Sequence, residues 1–260
     1  MGPLRRGLNT LGAVVFLALL LIVTTIAVYR VFLAPAFPEV VNIAHAGGAI
    51  DGRAYTNSLK ALDQSAADGF TVFEIDFLKT SDGVVVCGHD WDSFPAGAPD
   101  LAGFLSGRGP RSACTVEEFF AWMDLHPSAI LVSDAKVDVI EINGMLRERL
   151  GDRLVPQAYS VEELQQLLAD GSPRVILTLY RLEGLSAMLR EIEAAAAFRE
   201  RLAAVTMPAD DALVGLALWA KFRTGRPVMA HTINDCTIAN TLVALGVDAL
   251  YTDTLAPGTC

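Results

Sequence analysis

The chain has 260 residues, enough for one large α/β domain, and 52% of them are apolar. Its formal net charge of −10 argues against a nucleic-acid partner, whose phosphates need a basic face. Four cysteines, Cys87, Cys114, Cys236 and Cys260, stand far apart without a C-x-x-C or Cys/His cluster, which argues against structural zinc. If the domain is exported they could pair, while Cys87, inside an apolar run, reads as a small buried hydrophobe.

The N-terminus carries Arg5 and Arg6 and then Leu11 to Tyr29, 19 residues without a charge. That is close to the roughly 20 apolar residues a membrane-spanning helix needs. The arginines should stay cytoplasmic, so the bulk of the chain is expected on the extracytoplasmic side, held by a single-pass signal anchor. A cleaved signal peptide, with Ala34-Pro35-Ala36 as its small-residue site, is the competing reading, but signal h-regions are usually shorter. Residues 1–33 are thus assigned to a basic N-terminus and transmembrane anchor, 34–38 to a linker, and 39–260 to a folded domain.

Within that domain, Glu39 to His45 reads as a buried strand followed by Gly47-Gly48, and Asn57 to Ala67 has helical periodicity. Thr71 to Phe77 is a strand, Ser81-Asp82-Gly83 a turn, and Val84 to Cys87 a strand returning as a hairpin. Asp92 to Ala113 is rich in proline and glycine and reads as a long irregular connection, the kind that is usually functional or mobile. Thr115, followed by Glu117 and Glu118, opens a helix. Strands and helices then alternate. Strands are predicted at Ala129–Ser133, Leu154–Tyr159, Arg174–Tyr180, Ala203–Met207, Pro227–His231 and Ala249–Tyr251. Helices are predicted between them, one of them over Asp211–Lys221. Eight such units fit a closed (β/α)8 TIM barrel with an N-terminal transmembrane helix. An open doubly wound sheet is disfavoured, because no G-x-G-x-x-G follows the first strand.

In a barrel of this type the site forms at the C-terminal ends of the strands. Several strands here finish in titratable groups: His45, Glu74 with Asp76, Asp134 with Lys136, Gln157 with Tyr159, His231, and Asp253. Arg181 follows a fifth. Glu74 and Asp76, two apart on one strand, project to one face. With Asp134 they make a hard oxygen site for one divalent cation, Mg²⁺ or Ca²⁺. His45 and His89 can accept and donate protons near neutral pH. Lys136 adds a fixed positive charge. Cation, lysine and two imidazoles together suit a phosphodiester, which needs its charge neutralised, one proton removed and one delivered. His231 reads as a lining residue.

These residues resemble the glycerophosphodiester phosphodiesterase family, among the phosphatidylinositol-phospholipase-C-like barrels. The resemblance runs from about Val41 to Asp253. It rests on IAHAGG at the first strand, the EID of Glu74 to Asp76, TSDGVVVCGHDW, SDAK, QAYS and GVDALYTD. It implies that His45 and His89 are the acid–base pair, that Glu74, Asp76 and Asp134 bind the cation, and that Lys136 lies near the phosphate. Three positions depart from the family pattern. His-Arg-Gly is here His45-Ala46-Gly47, and Arg181 is the substitute that could reach the phosphate. Pro-Glu-Asn-Thr is here Tyr55-Thr56-Asn57-Ser58. The third acid is Asp, as in the related sphingomyelinase D branch.

The expected activity is metal-dependent hydrolysis of a glycerophosphodiester to an alcohol and glycerol phosphate. The alternatives are lysophospholipase D-like or sphingomyelinase D-like action on a membrane lipid, suggested by the anchor and the apolar 92–113 segment, and a non-catalytic metal- or phosphate-binding module. The partners implied are a small or lipid phosphodiester and, through the N-terminal helix, a membrane.

Overall fold

The computed structural model describes residues 41–108, 113–213 and 215–260. The predicted anchor and linker lie outside these residues. Among the described residues no helix is long and apolar enough to cross a membrane.

Eight parallel strands close into a ring: β1 Val41–Ala44, β2 Val72–Lys79, β4 Ile130–Ala135, β5 Leu154–Ala158, β6 Val175–Thr178, β7 Leu202–Pro208, β8 Val228–His231 and β9 Ala249–Thr252. Closure is explicit, because β1 pairs in parallel with both β2 and β9. The one antiparallel strand, β3 Val85–Cys87, extends β2 as a hairpin beyond the ring. Outside the strands run the helices α1 Leu59–Ala67, α2 Leu101–Gly107, α3 Val116–Leu125, α4 Val139–Leu150, α5 Val161–Ala169, α6 Leu185–Ala195, α7 Ala209–Leu213, α8 Leu216–Thr224 and α9 Cys236–Ala244.

The period of two explains how the barrel is filled. Ile43, Val132, Ile176, Ala204 and Tyr251 form an apolar cluster, with Val72, Val155 and Met229 packed against it. Two residues further along the same strands come His45, Asp134, Thr178, Thr206, Asp253, Glu74, Gln157 and His231. Strand alternation thus carries each chain from packed interior to polar rim on one face. The intervening residues of β2, Phe73, Ile75 and Phe77, point outward into a second cluster with Phe119, Trp122 and Met123 of α3.

Two predicted features need correction. The stretch from Asp92 to Ala113 is not wholly irregular, because α2 lies within it, capped by the Asp100 carboxylate accepting from the Gly103 N–H. Its apolar residues Phe104, Trp91 and Phe94 form a small cluster with Leu78 and Val86 of the hairpin. The helix expected over residues 211–221 is two helices, α7 and α8. Gly215 caps α8 with a left-handed φ of 91°, which a residue with a side chain rarely adopts.

Cys87 is not a free buried thiol. It is bonded to Cys114, and Cys236 is bonded to Cys260. The first bridge joins the end of β3 to the residue before the α3 cap. Beside it, the Cys87 N–H donates to the Cys114 carbonyl and the Cys114 N–H to the Asn57 carbonyl. Three segments that reach the barrel mouth are therefore tied at one point.

Candidate active site

The mouth of the barrel holds a cavity of about 300 Å³, lined by His45, Glu74, Asp76, His89, Asp134 and Lys136 together with Tyr55, Gln157, Tyr159, Thr178, Tyr180 and His231. Six of the seven residues singled out in the sequence therefore meet at one place. The seventh, Arg181, does not line it. Arg181 is exposed, and its guanidinium stacks on the Tyr159 ring, 3.5 Å from the centroid.

The acids sit on adjacent strands in register, with Asp76 opposite Asp134. Asp76 accepts from the Asn57 side-chain amide at 2.9 Å and pairs with Lys136 at 2.8 Å. Asn57 also accepts from the Asp76 backbone N–H at 3.0 Å, so it clamps the residue at both ends. Asp134 pairs with Lys136 at 2.7 Å and accepts the Tyr159 hydroxyl at 2.6 Å. Burial pulls the Lys136 pKa down, but Asp76 and Asp134 outweigh it and hold the ammonium protonated. Burial and Asp134 hold the Tyr159 hydroxyl protonated, as a donor.

Glu74 is different. Its Oε2 accepts the Ala46 N–H at 2.7 Å, but its Oε1 is buried with no hydrogen-bond partner. Burial, and then the neighbouring Asp76, push its pKa up to about 8. The charge arithmetic points the same way. Ionised Glu74, Asp76 and Asp134 sum to −3, Lys136 contributes +1, and the remainder is −2 in a buried site. One divalent cation would bring it to zero. Oxygen atoms of the three carboxylates lie within 4.8 Å of one another, close enough to be shared by one hard ion. An orphaned carboxylate oxygen, an all-oxygen donor set and the charge deficit all fit such an ion.

The two histidines are held alike. His45 Nδ1 lies 2.8 Å from Asp253, whose other oxygen accepts from the Asn234 amide at 2.7 Å. His89 Nδ1 lies 2.8 Å from Asp90. A carboxylate at Nδ1 keeps a proton there and leaves Nε2 for exchange. Burial lowers the His45 pKa, yet the bond to Asp253 and the charges of Glu74, Asp253 and Asp76 outweigh it, leaving it above the usual imidazole value. Tyr55 stands between the two rings, with centroids 4.5 Å from His45 and 5.1 Å from His89.

The connection from β1 to α1 bends sharply to make this arrangement. Ala46, Tyr55 and Asn57 all have left-handed φ, at 48°, 57° and 46°. Such conformations cost on the order of 1–3 kcal/mol each outside glycine and persist where neighbours over-determine them. Ala46 is held by its N–H to Glu74, and Asn57 by its two bonds to Asp76. The sequence offered Asn57 only as a helix start and Asp253 only as a rim residue. Their partnerships depend on strand register and were out of reach. Tyr55 carried no signal of its own.

No protein-family model matches the sequence, and no curated protein matches it. Solved structures do. A glycerophosphodiester phosphodiesterase from Parabacteroides distasonis superposes with a TM-score of 0.67 at 17% identity, covering 83% of this chain and 93% of that one. One from Thermotoga maritima gives 0.64 at 16%, covering 83% and 95%. A phosphodiesterase from Oleispira antarctica, solved in complex with the product sn-glycerol-3-phosphate, gives 0.62 at 20%, covering 83% and 94%. At these identities the likeness establishes the fold: a (β/α)8 barrel of the kind that glycerophosphodiester phosphodiesterases have.

Proposed function

We propose that this protein hydrolyses glycerophosphodiesters to an alcohol and glycerol phosphate. The observation that carries the reading is the pairing of two carboxylate-held imidazoles, His45 and His89, around a cavity that also holds Glu74, Asp76, Asp134 and Lys136. The neighbours' printed activities agree with it.

In this reading an oxygen nucleophile attacks phosphorus: either water, giving glycerol phosphate directly, or a hydroxyl beside the phosphate, giving a cyclic phosphate that water opens in a second step. One imidazole takes the nucleophile's proton. The other gives a proton to the departing alcohol as the P–O bond breaks, so the histidines exchange protonation states over the reaction. Lys136 holds a phosphate oxygen and offsets the charge that builds up on it. Glu74, Asp76 and Asp134 would hold one Mg²⁺ or Ca²⁺, which supplies Lewis-acid neutralisation of the phosphate. Ala46, at the family's arginine position, offers only its backbone N–H, already given to Glu74, so phosphate binding falls more heavily on Lys136 and the cation.

The anchor over residues 1–33 would place this domain on the extracytoplasmic face of a membrane. The two disulfides among the described residues support that, since such bridges persist in oxidising compartments.

The test is a panel of water-soluble glycerophosphodiesters given to the full chain with Mg²⁺, Ca²⁺ or EDTA. Release of glycerol phosphate that depends on the cation is the expected result. No release from any member under any condition overturns the reading.

A further inference from the structure

A second cavity, about 510 Å³, adjoins the first. Tyr55 and His89 line both, so they form the wall between them. Beyond that wall the lining changes character. Trp91, Phe94 and Phe104 meet edge-on or stacked, with ring centroids 5.6 to 6.4 Å apart. Phe104 is buried in the cluster, whereas Trp91 and Phe94 are only half-buried and keep apolar surface open to the cavity. Gly107 of α2 makes room for this. A Cβ there would come within 2.7 Å of the Phe94 ring, so a larger residue would push the ring out of place.

The charges in this lining are already matched. Arg108 makes a two-pronged pair with Glu118 at 2.5 and 2.9 Å. Among the described lining residues Asp90 is the one carboxylate, and it is already engaged by His89 and the Asp92 N–H. A volume of this size is typical of small-molecule sites, and half-exposed aromatic faces beside a polar rim mark an apolar ligand.

We infer that the second cavity takes the ester arm of the phosphodiester on the His89 side, and that this arm is an aliphatic chain. The inference rests on the phosphodiesterase reading for where the phosphate sits. The two cavities meet at His89, so an arm leaving the phosphate past this imidazole would enter the space lined by Trp91 and Phe94. The preferred substrate class is then a glycerophosphodiester with an apolar alcohol arm, in place of a charged head group.

Two measurements on the full chain with its cation test this. In the first, kcat/KM is compared for diesters sharing a phosphoglycerol half and carrying methyl, octyl or choline arms, each as monomers in solution. Octyl should exceed methyl and choline by at least about tenfold, because each buried methylene contributes favourably. In Trp91→Ala the octyl-to-methyl ratio should fall toward one. Equal rates for octyl and methyl, or a choline preference, overturn the inference. In the second, octyl phosphate and methyl phosphate are titrated calorimetrically against the unaltered chain, so no variant need fold. Tighter octyl phosphate binding by at least about tenfold supports the cavity even if no diester is ever cleaved, in which case it is the hydrolytic reading that fails. Equal binding of the two overturns the cavity assignment itself.

Discussion

Two lysines pair with carboxylates in this barrel, Lys221 buried and Lys136 half-buried, and they differ in what is left over. Lys221 donates to Asp248 at 2.6 Å and to the Gly246 carbonyl at 2.9 Å. The second Asp248 oxygen accepts the Val228 N–H at 2.8 Å. Each carboxylate oxygen of Asp248 has a partner. Lys136 also pairs at 2.7 to 2.8 Å, but with two carboxylates, and beside them Glu74 keeps a buried oxygen with nothing bound to it. A closed pair of this kind serves the fold. A pair that leaves a buried acceptor unmet has capacity for a further partner.

The comparison is broken or sharpened by variants on each side. The largest effect is expected from the imidazoles. His45→Ala or His89→Ala should lower hydrolysis by about 10²- to 10⁴-fold, with the circular-dichroism spectrum retained. Full activity in either would remove the proposed mechanism. Next come the lysines. Lys221→Met leaves the half-buried Asp248 without its lysine and should lose roughly 1–3 kcal/mol of stability in urea unfolding, with turnover per folded molecule nearly unchanged. Lys136→Met should show the opposite pattern. Its hydrolysis falls by about 10²-fold or more, while its Tm in excess cation stays near the parent value. If both variants lose stability alike, the distinction between the pairs fails.

The third prediction concerns pH. In protein freed of its cation, Glu74 titrates at about 8, while unfolded it titrates at about 4.5. The folded state therefore binds the extra proton. Its contribution to stability is full below about 4.5 and is lost as pH rises through 8. A cation bound by the three acids would replace that proton. The Tm gain on adding Mg²⁺ or Ca²⁺ should then be larger at pH 8.5 than at pH 6, and Glu74→Gln should flatten the difference. An equal gain at both pH values would show that Glu74 is not part of the ion's charge balance.

The smallest effect belongs to His231. Burial, and then the nearby charge of His45, pull its pKa down to about 4, so it is neutral in the fold. Unfolded, it gains a proton below about 6.5, so stability is intact above that pH and falls toward pH 4. The loss by pH 5 is on the order of 2 kcal/mol, and His231→Gln should reduce it in urea titrations. A variant that loses the same stability between pH 7 and 5 would assign the acid sensitivity elsewhere.

Much of this was legible in the sequence, for a physical reason. Strand side chains alternate, so Glu74 with Asp76 and Asp134 with Lys136 announced their shared face. The eightfold recurrence of apolar runs announced the barrel. What could not be read depended on contacts between distant segments. The Cys87–Cys114 bridge spans 27 residues and needs the hairpin and the α3 start to be placed. Helix α2 was hidden because prolines and glycines around it diluted its four-residue apolar spacing, leaving Asp100 as its only marker. Arg181 was assigned by its position after a strand, but a side chain can turn either way there. It turned onto Tyr159.

The closure of β1 on β9 also sets a schedule. His45 and its partner Asp253 are 208 residues apart, and the contact exists only once the final strand has docked. At a synthesis rate of about 5–20 residues per second, roughly 10–40 s pass between the emergence of one and the other. For that interval the histidine has no carboxylate to orient it, and the ring that gathers the acids is open. The proposed chemistry therefore has to wait until the strand that carries Asp253 to His45 completes the circle.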